Sequence, residues 1–174
     1  MNERLHADLA QRAVQAALDA GASYSDARVV FTRTETLQAQ DGELENADRS
    51  ESAGIGVRSL IGSSWGFAAT NDLSDARVAE TGQRATATAK ASALVAGPAL
   101  VLADVPIVED HHASAVVEDP FDVPLSEKVD LIVEVSRTMR QAPGIALARG
   151  FLTFWDIQQW FVSSQGHRIS QHLT

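Results

Sequence analysis

Cysteine is absent from these 174 residues, and that one gap removes disulfides, thiolate metal sites and thiol nucleophiles together. Long apolar runs are missing as well. No stretch of about 18 such residues occurs, which argues against a membrane-spanning helix. The amino-terminal Met1-Asn2-Glu3-Arg4 leads straight into a mixed-charge amphipathic segment with no apolar signal core, so export is not expected. Positive charge is scarce: 14 Lys and Arg face 23 Asp and Glu, for a formal charge of −9. Asp104 to Glu134 alone holds nine acids against Lys128, and this stretch is expected to be a solvated acidic loop. Such a surface repels phosphate backbones and anionic lipid, so no direct nucleic-acid or membrane partner is expected and the cytoplasm is the expected compartment.

What remains is ordinary globular composition, with 45% hydrophobic and 21% charged residues, enough for one real core. Leu5, Leu9, Ala13, Ala16, Ala17 and Leu18 follow helical spacing, and Gly21 supplies a stop. Ala27 to Thr32 is β-branched and aromatic, and Asp41-Gly42 is a type I′ turn signal between strands at 36–40 and 43–48. Two further strands fit Gly54 to Leu60 and Trp65 to Thr70, around a Gly62-Ser63-Ser64 turn. Ser74 is placed to cap a long alanine-rich helix from Asp75 to about Leu94, with Leu73 and Val78 as a hydrophobic staple.

Four prolines between Ala96 and Pro124 and no sustained period predict an extended connector. Ser126 is then expected to cap a helix with Val129, Ile132, Val133, Ser136 and Met139 on one face, ending at Pro143-Gly144. Residues 145–155, 159–163 and 167–173 suggest three last strands, the final pair joined at Ser164-Gln165-Gly166. Thr174 falls within an apolar/polar alternation, so the last strand is expected to be an exposed edge awaiting more chain or a partner.

The search for chemistry yields no catalytic, cofactor-binding or metal-binding residues. His6, His111, His112, His167 and His172 have no metal spacing, even with Glu109 and Asp110 beside two of them, and are expected at the surface. Gly54-Ile55-Gly56 lacks the third glycine of a dinucleotide fingerprint and precedes a strand where a helix is required, so close packing explains it better. Ser63-Ser64 and Ser163-Ser164 sit in no nucleophile elbow; Ser164 could touch His167, but turn chemistry accounts for it. Phe151, Phe154, Trp155, Trp160 and Phe161 belong either to a sheet covered on both faces or to a contact surface.

Four motifs in order carry a resemblance: Gly21 to Arg28 (GASYSDAR); Gly54 to Arg58 with Trp65-Gly66-Phe67-Ala68; Asp119-Pro120-Phe121 with Val123 to Val129; and Trp160 to Gly166. Together they resemble the amino-terminal half of the TldD/PmbA family, nearer the TldD branch. One departure is Ser163-Ser164-Gln165-Gly166, where the family usually has an acid before the glycine. The resemblance implies a zinc-dependent peptidase that matures small peptides as a two-subunit assembly, with an older association with gyrase-directed toxins. It implies that the metal sits in the following half, on a helical His-Glu-x-x-x-His motif that this chain lacks. No site residue can therefore be carried onto this chain.

The expected fold class is α/β (α+β), a mixed and mostly antiparallel sheet packed by two or three helices. Residues 1–174 are expected to form one amino-terminal domain, with helix, hairpin, strands and helix over 1–95, the acidic connector over 96–125, and a helix with terminal strands over 126–174. Expected partners are a zinc-bearing C-terminal half, a homologous subunit in a dimer, and peptide substrate. The alternative is a stand-alone binding module or remnant that pairs with a partner subunit.

Overall fold

The computed structural model describes residues 3–95, 97–98 and 100–174, apart from the side chains of Glu3 and Arg4. Among the described residues, three helices and a six-stranded, mostly antiparallel sheet make the fold α+β, as expected. The elements are α1 (Glu3–Asp19), β1 (Tyr24–Gln40), β2 (Glu43–Ile61), β3 (Ser64–Thr70), α2 (Asp75–Ala93), β4 (Glu109–Ala113), α3 (Leu125–Gln141), β5 (Arg149–Ser163) and β6 (Arg168–Leu173). The sheet order is β3-β2-β1-β5-β6-β4. Among the described residues no helix is long and apolar enough to cross a membrane.

The strand segments expected at 27–32 and 36–40 are one strand, as are 43–48 with 54–60, and 145–155 with 159–163. The hinge between β1 and β2 is the turn the Asp-Gly pair predicts, because Asp41 (φ 53°) and Gly42 (φ 91°) both adopt the positive φ that type I′ requires.

The chain divides into two compact units, to which β1, β2 and β5 each contribute. In the first (residues 1–31, 52–113 and 158–172), α1 and α2 bury one face of the sheet. Leu9, Ala13 and Val14 of α1 and Val78 and Ala85 of α2 meet Val29, Val57, Ala68, Trp160 and Val162. A buried valine of this kind contributes about 1.5–3 kcal/mol. Two glycines set how closely the layers approach. A Cβ on Gly66 would lie 2.0 Å from Ala85 O, and one on Gly82 would lie 2.2 Å from Ala13 O, so the alanine-rich helix packs backbone to backbone.

Ser74 occupies the N-cap of α2, but its side chain makes no capping bond; its carbonyl accepts from Val78 N, and its own N–H donates to Asp72 Oδ1. The staple partners Leu73 and Val78 both join the core. Within the stretch expected as connector, β4 pairs in parallel with β6, Glu109 opposite Arg168 through Ala113 opposite His172. The last strand is thus not an edge: β6 lies between β5 and β4.

In the second unit (residues 32–51, 114–157 and 173–174), α3 packs on segments of β1 and β5. Pro124, not Ser126, is the N-cap, since proline there gives up no helical N–H while its carbonyl accepts from Lys128 N. Ile132 packs on Leu37 and Ala39 with Val129, Val133 and Leu152 alongside, whereas Met139, expected on this face, is exposed. Lys128 is buried instead. Its ammonium donates to Glu35 of β1 and to Pro120 O, and lies 4.9 Å from the Phe154 ring centroid.

Candidate functional site

The chemistry-bearing residues gather on the face of the first unit's sheet opposite α1 and α2. β3 alternates strictly: Ser64, Gly66 and Ala68 point into the core, while Trp65, Phe67 and Ala69 are left exposed. Antiparallel register sets Arg58 opposite Phe67 and Gly56 opposite Ala69. A Cβ on Gly56 would come within 3.2 Å of the Phe67 ring, so glycine there lets the ring lie across β2. Close packing is therefore the role of this glycine, as its sequence context suggests.

Asp26 of β1 is 1% exposed and anchors the face. Arg58 donates to it through Nε (3.1 Å to each oxygen) and Nη2 (2.7 Å). Arg28 Nη1 adds a bond of 3.2 Å, and the Tyr24 hydroxyl donates at 3.1 Å. Each guanidinium also lies over a ring, Arg58 at 5.4 Å from the Trp65 centroid and Arg28 at 4.6 Å from that of Phe161. Trp65 meets Tyr24 edge-on at 5.7 Å. Burial, then the charge and hydrogen bond of Asp26, push the Tyr24 phenol up to about 12, so it remains a donor. The bonds from Asp26 raise the Arg58 guanidinium further above its already high value.

Two cations share one carboxylate here, leaving a local excess of positive charge in a chain of net −9. The side chains of Arg28 and Arg58 are 42% and 47% exposed. With Val30, Gly54, Gly56 and Phe67 they line a shallow groove of about 730 Å³. What such a surface can do is bind: it offers oriented N–H groups, cationic charge and apolar contact area.

The second unit holds a buried ionic group. Glu35 (1% exposed) receives Lys128 and Arg49, and Arg33 bonds Asp156 at 2.9 Å while lying 3.9 Å from the Phe121 centroid. Burial pushes the Glu35 carboxyl up, but hydrogen bonds and charge from Lys128 and Arg49 outweigh it and hold the group below its usual range. These contacts explain the Asp119-Pro120-Phe121 motif as a lid over an ion pair.

The histidines do not converge. His6 and His167, expected at the surface, are buried: His6 lies between Phe31 and Trp160, and His167 Nδ1 accepts from Val108 N at 3.1 Å. His111 bonds Ser170 at 2.7 Å on exposed β4, His112 follows it there, and His172 is half-buried on β6. Among the described residues no three His, Asp or Glu side chains are grouped to hold a metal ion, so the donor set does not fit zinc. Ser164 Oγ accepts from Ser25 N, not from His167; it is Ser163 Oγ that receives the His167 N–H. Ser63 Oγ donates to Gly97 O. The aromatic group divides, with Trp160 in the core and Phe151 and Trp155 exposed.

The sequence motifs contain Asp26 and Arg58 but do not pair them. The available signal was an acid set among buried strand residues, which needs a partner. Nothing local says which arginine supplies it.

An α+β fold whose sheet carries a cationic, aromatic face is what the elements and the site define. Residues 25–93, which include most of that face, match the PmbA/TldA metallopeptidase domain 1 family. It is 24% identical over 151 residues to a metalloprotease of Methanocaldococcus jannaschii and 29% identical over 151 residues to one of Methanothermobacter thermautotrophicus, each alignment covering 87% of this chain. The chain spans about a third of those relatives' length, 33% and 32%. Its fold matches a Bacteroides thetaiotaomicron protein described as a modulator of DNA gyrase (TM-score 0.75, 13% identity, 95% of this chain and 38% of that one). It likewise matches TldE from Thermococcus kodakarensis (TM-score 0.70, 14% identity, 95% and 37%).

Proposed function

We propose that this chain is the non-catalytic, peptide-enclosing first domain of a zinc-dependent TldD-like peptidase that processes small peptides. In this reading the zinc ligands lie in the part of the relatives that this chain does not span, and activity requires that part together with a homologous subunit. The cytoplasm is the proposed compartment. The observation that carries the reading is the alignment of 87% of the chain with about a third of two metalloproteases. The cationic, aromatic sheet face supports a peptide-binding role for the domain itself.

The test is a chimera in which this chain replaces the matched third of the Methanocaldococcus jannaschii metalloprotease. Cleavage of an unstructured peptide, followed by mass spectrometry, is expected from the chimera with zinc and not from the chain alone. Retention of stoichiometric zinc by the chain alone through dialysis, with peptide cleavage, overturns the reading.

A further inference from the structure

We propose that the groove beside Arg28, Arg58 and Phe67 is a carboxylate-reading subsite that holds an acidic segment of an extended peptide. This rests on the peptidase reading and narrows its substrate class.

Three features carry it. The two guanidiniums are oriented before any ligand arrives, because buried Asp26 fixes both and a ring lies under each. A site whose donors are already held in place loses less freedom on binding. Each arginine also keeps N–H groups beyond those given to Asp26, which uses only Nη1 of Arg28 and Nε and Nη2 of Arg58. Guanidinium N–H groups match carboxylate oxygens in geometry and charge. The surroundings then set the shape of the guest. Gly54, Gly56 and Val30 give a low floor, and Phe67, 61% exposed, supplies an apolar wall. Such a groove fits a thin extended chain with an acid and a neighbouring apolar side chain. The charge complementarity is local, since the chain as a whole would repel an acidic peptide.

The test uses the full chain and fluorescence anisotropy of a short fluorescein-labelled peptide of glutamates interspersed with leucine. Its control is the same peptide with glutamine for glutamate and an amidated end. The acidic peptide is expected to bind at least about tenfold more tightly than the control and to weaken as salt rises. Arg28→Gln and Phe67→Ala alter exposed side chains, and each is expected to weaken binding about tenfold or more while far-ultraviolet circular dichroism stays unchanged. Equal affinity for the two peptides, or indifference to Arg28→Gln, overturns the proposal. Self-association that Phe67→Ala dissolves, without peptide binding, also overturns it by making the face a contact between copies. No metal is needed, so the two readings fail separately. A cleaving chimera without acidic-peptide binding removes the subsite alone, and binding with an inert chimera leaves the subsite while removing the peptidase.

Discussion

Lys128 of α3 sets its ammonium on the Glu35 carboxylate of β1, with both side chains at least nine-tenths withdrawn from water. Such a pair gains little over a well-packed apolar one, but losing Lys128 leaves the buried Glu35 carboxylate with Arg49 as its remaining cation. Lys128→Met is therefore expected to destabilise the chain by about 1.5–3 kcal/mol, and Lys128→Met with Glu35→Leu to recover part of the loss. Urea unfolding followed by circular dichroism decides this. Equal midpoints for the single and double variants would refute the ionic account.

Acid should expose the same pair. The Glu35 carboxyl is held below its ordinary 4.5, so its contribution is fully present above that value and disappears as pH falls through the depressed one. The expected outcome is a loss of stability below about pH 4.5 that is smaller in Glu35→Gln, measured as unfolding midpoint against pH.

His6 predicts a second loss, at milder pH. Burial lowers its pKa from 6.5, so the folded state favours the neutral ring between Phe31 and Trp160. Stability from this group is complete above about 6.5 and falls as pH drops below it, because only the unfolded chain readily takes up the proton. His6→Phe should flatten the stability profile between about pH 6.5 and 5. An unchanged slope would mean that His6 is not the group titrating.

Tyr24 is the single tyrosine of the chain, which makes its ionisation readable by absorbance without ambiguity. It is expected to titrate at about 12 in the wild-type chain. Asp26→Asn removes the nearby negative charge and should lower the value part of the way toward 10, since burial remains. The same change leaves two arginines without their shared anion and is expected to cost about 1–3 kcal/mol.

Gly66→Ala asks for a methyl where Ala85 O is 2.0 Å away and Ala89 N 2.3 Å away. Backbone cannot yield as a side-chain tip can, so about 3 kcal/mol or more should be lost, seen as a lowered Tm. Gly62→Ala, whose Cβ would meet nothing within 4 Å, should lose less through contact and only its φ of 61° counts against it.

Local chemistry made much of this fold legible: the helical spacing of α1, the Asp41-Gly42 turn and the alanine-rich α2 all lie where their residues put them. The expected break near Arg33 to Glu35 does not occur, because those charges are matched by Asp156, Lys128 and Arg49, partners up to 123 residues away. β4 was illegible for a similar reason. Its Glu-Asp-His-His-Ala has no apolar alternation, and only the parallel register on β6 makes it a strand. The Arg28–Arg58 face shows the same limit, since its motifs are visible one by one while the bond from Arg58 to Asp26 joins two of them.

The β4 edge of the sheet has a consequence for how copies of the chain can pair. An edge strand that carries Glu109 and Asp110, only five residues long and exposed throughout, offers neighbouring copies a short, mutually repelling border. Crowded solutions near neutrality should therefore stay free of fibrous stacking along this side.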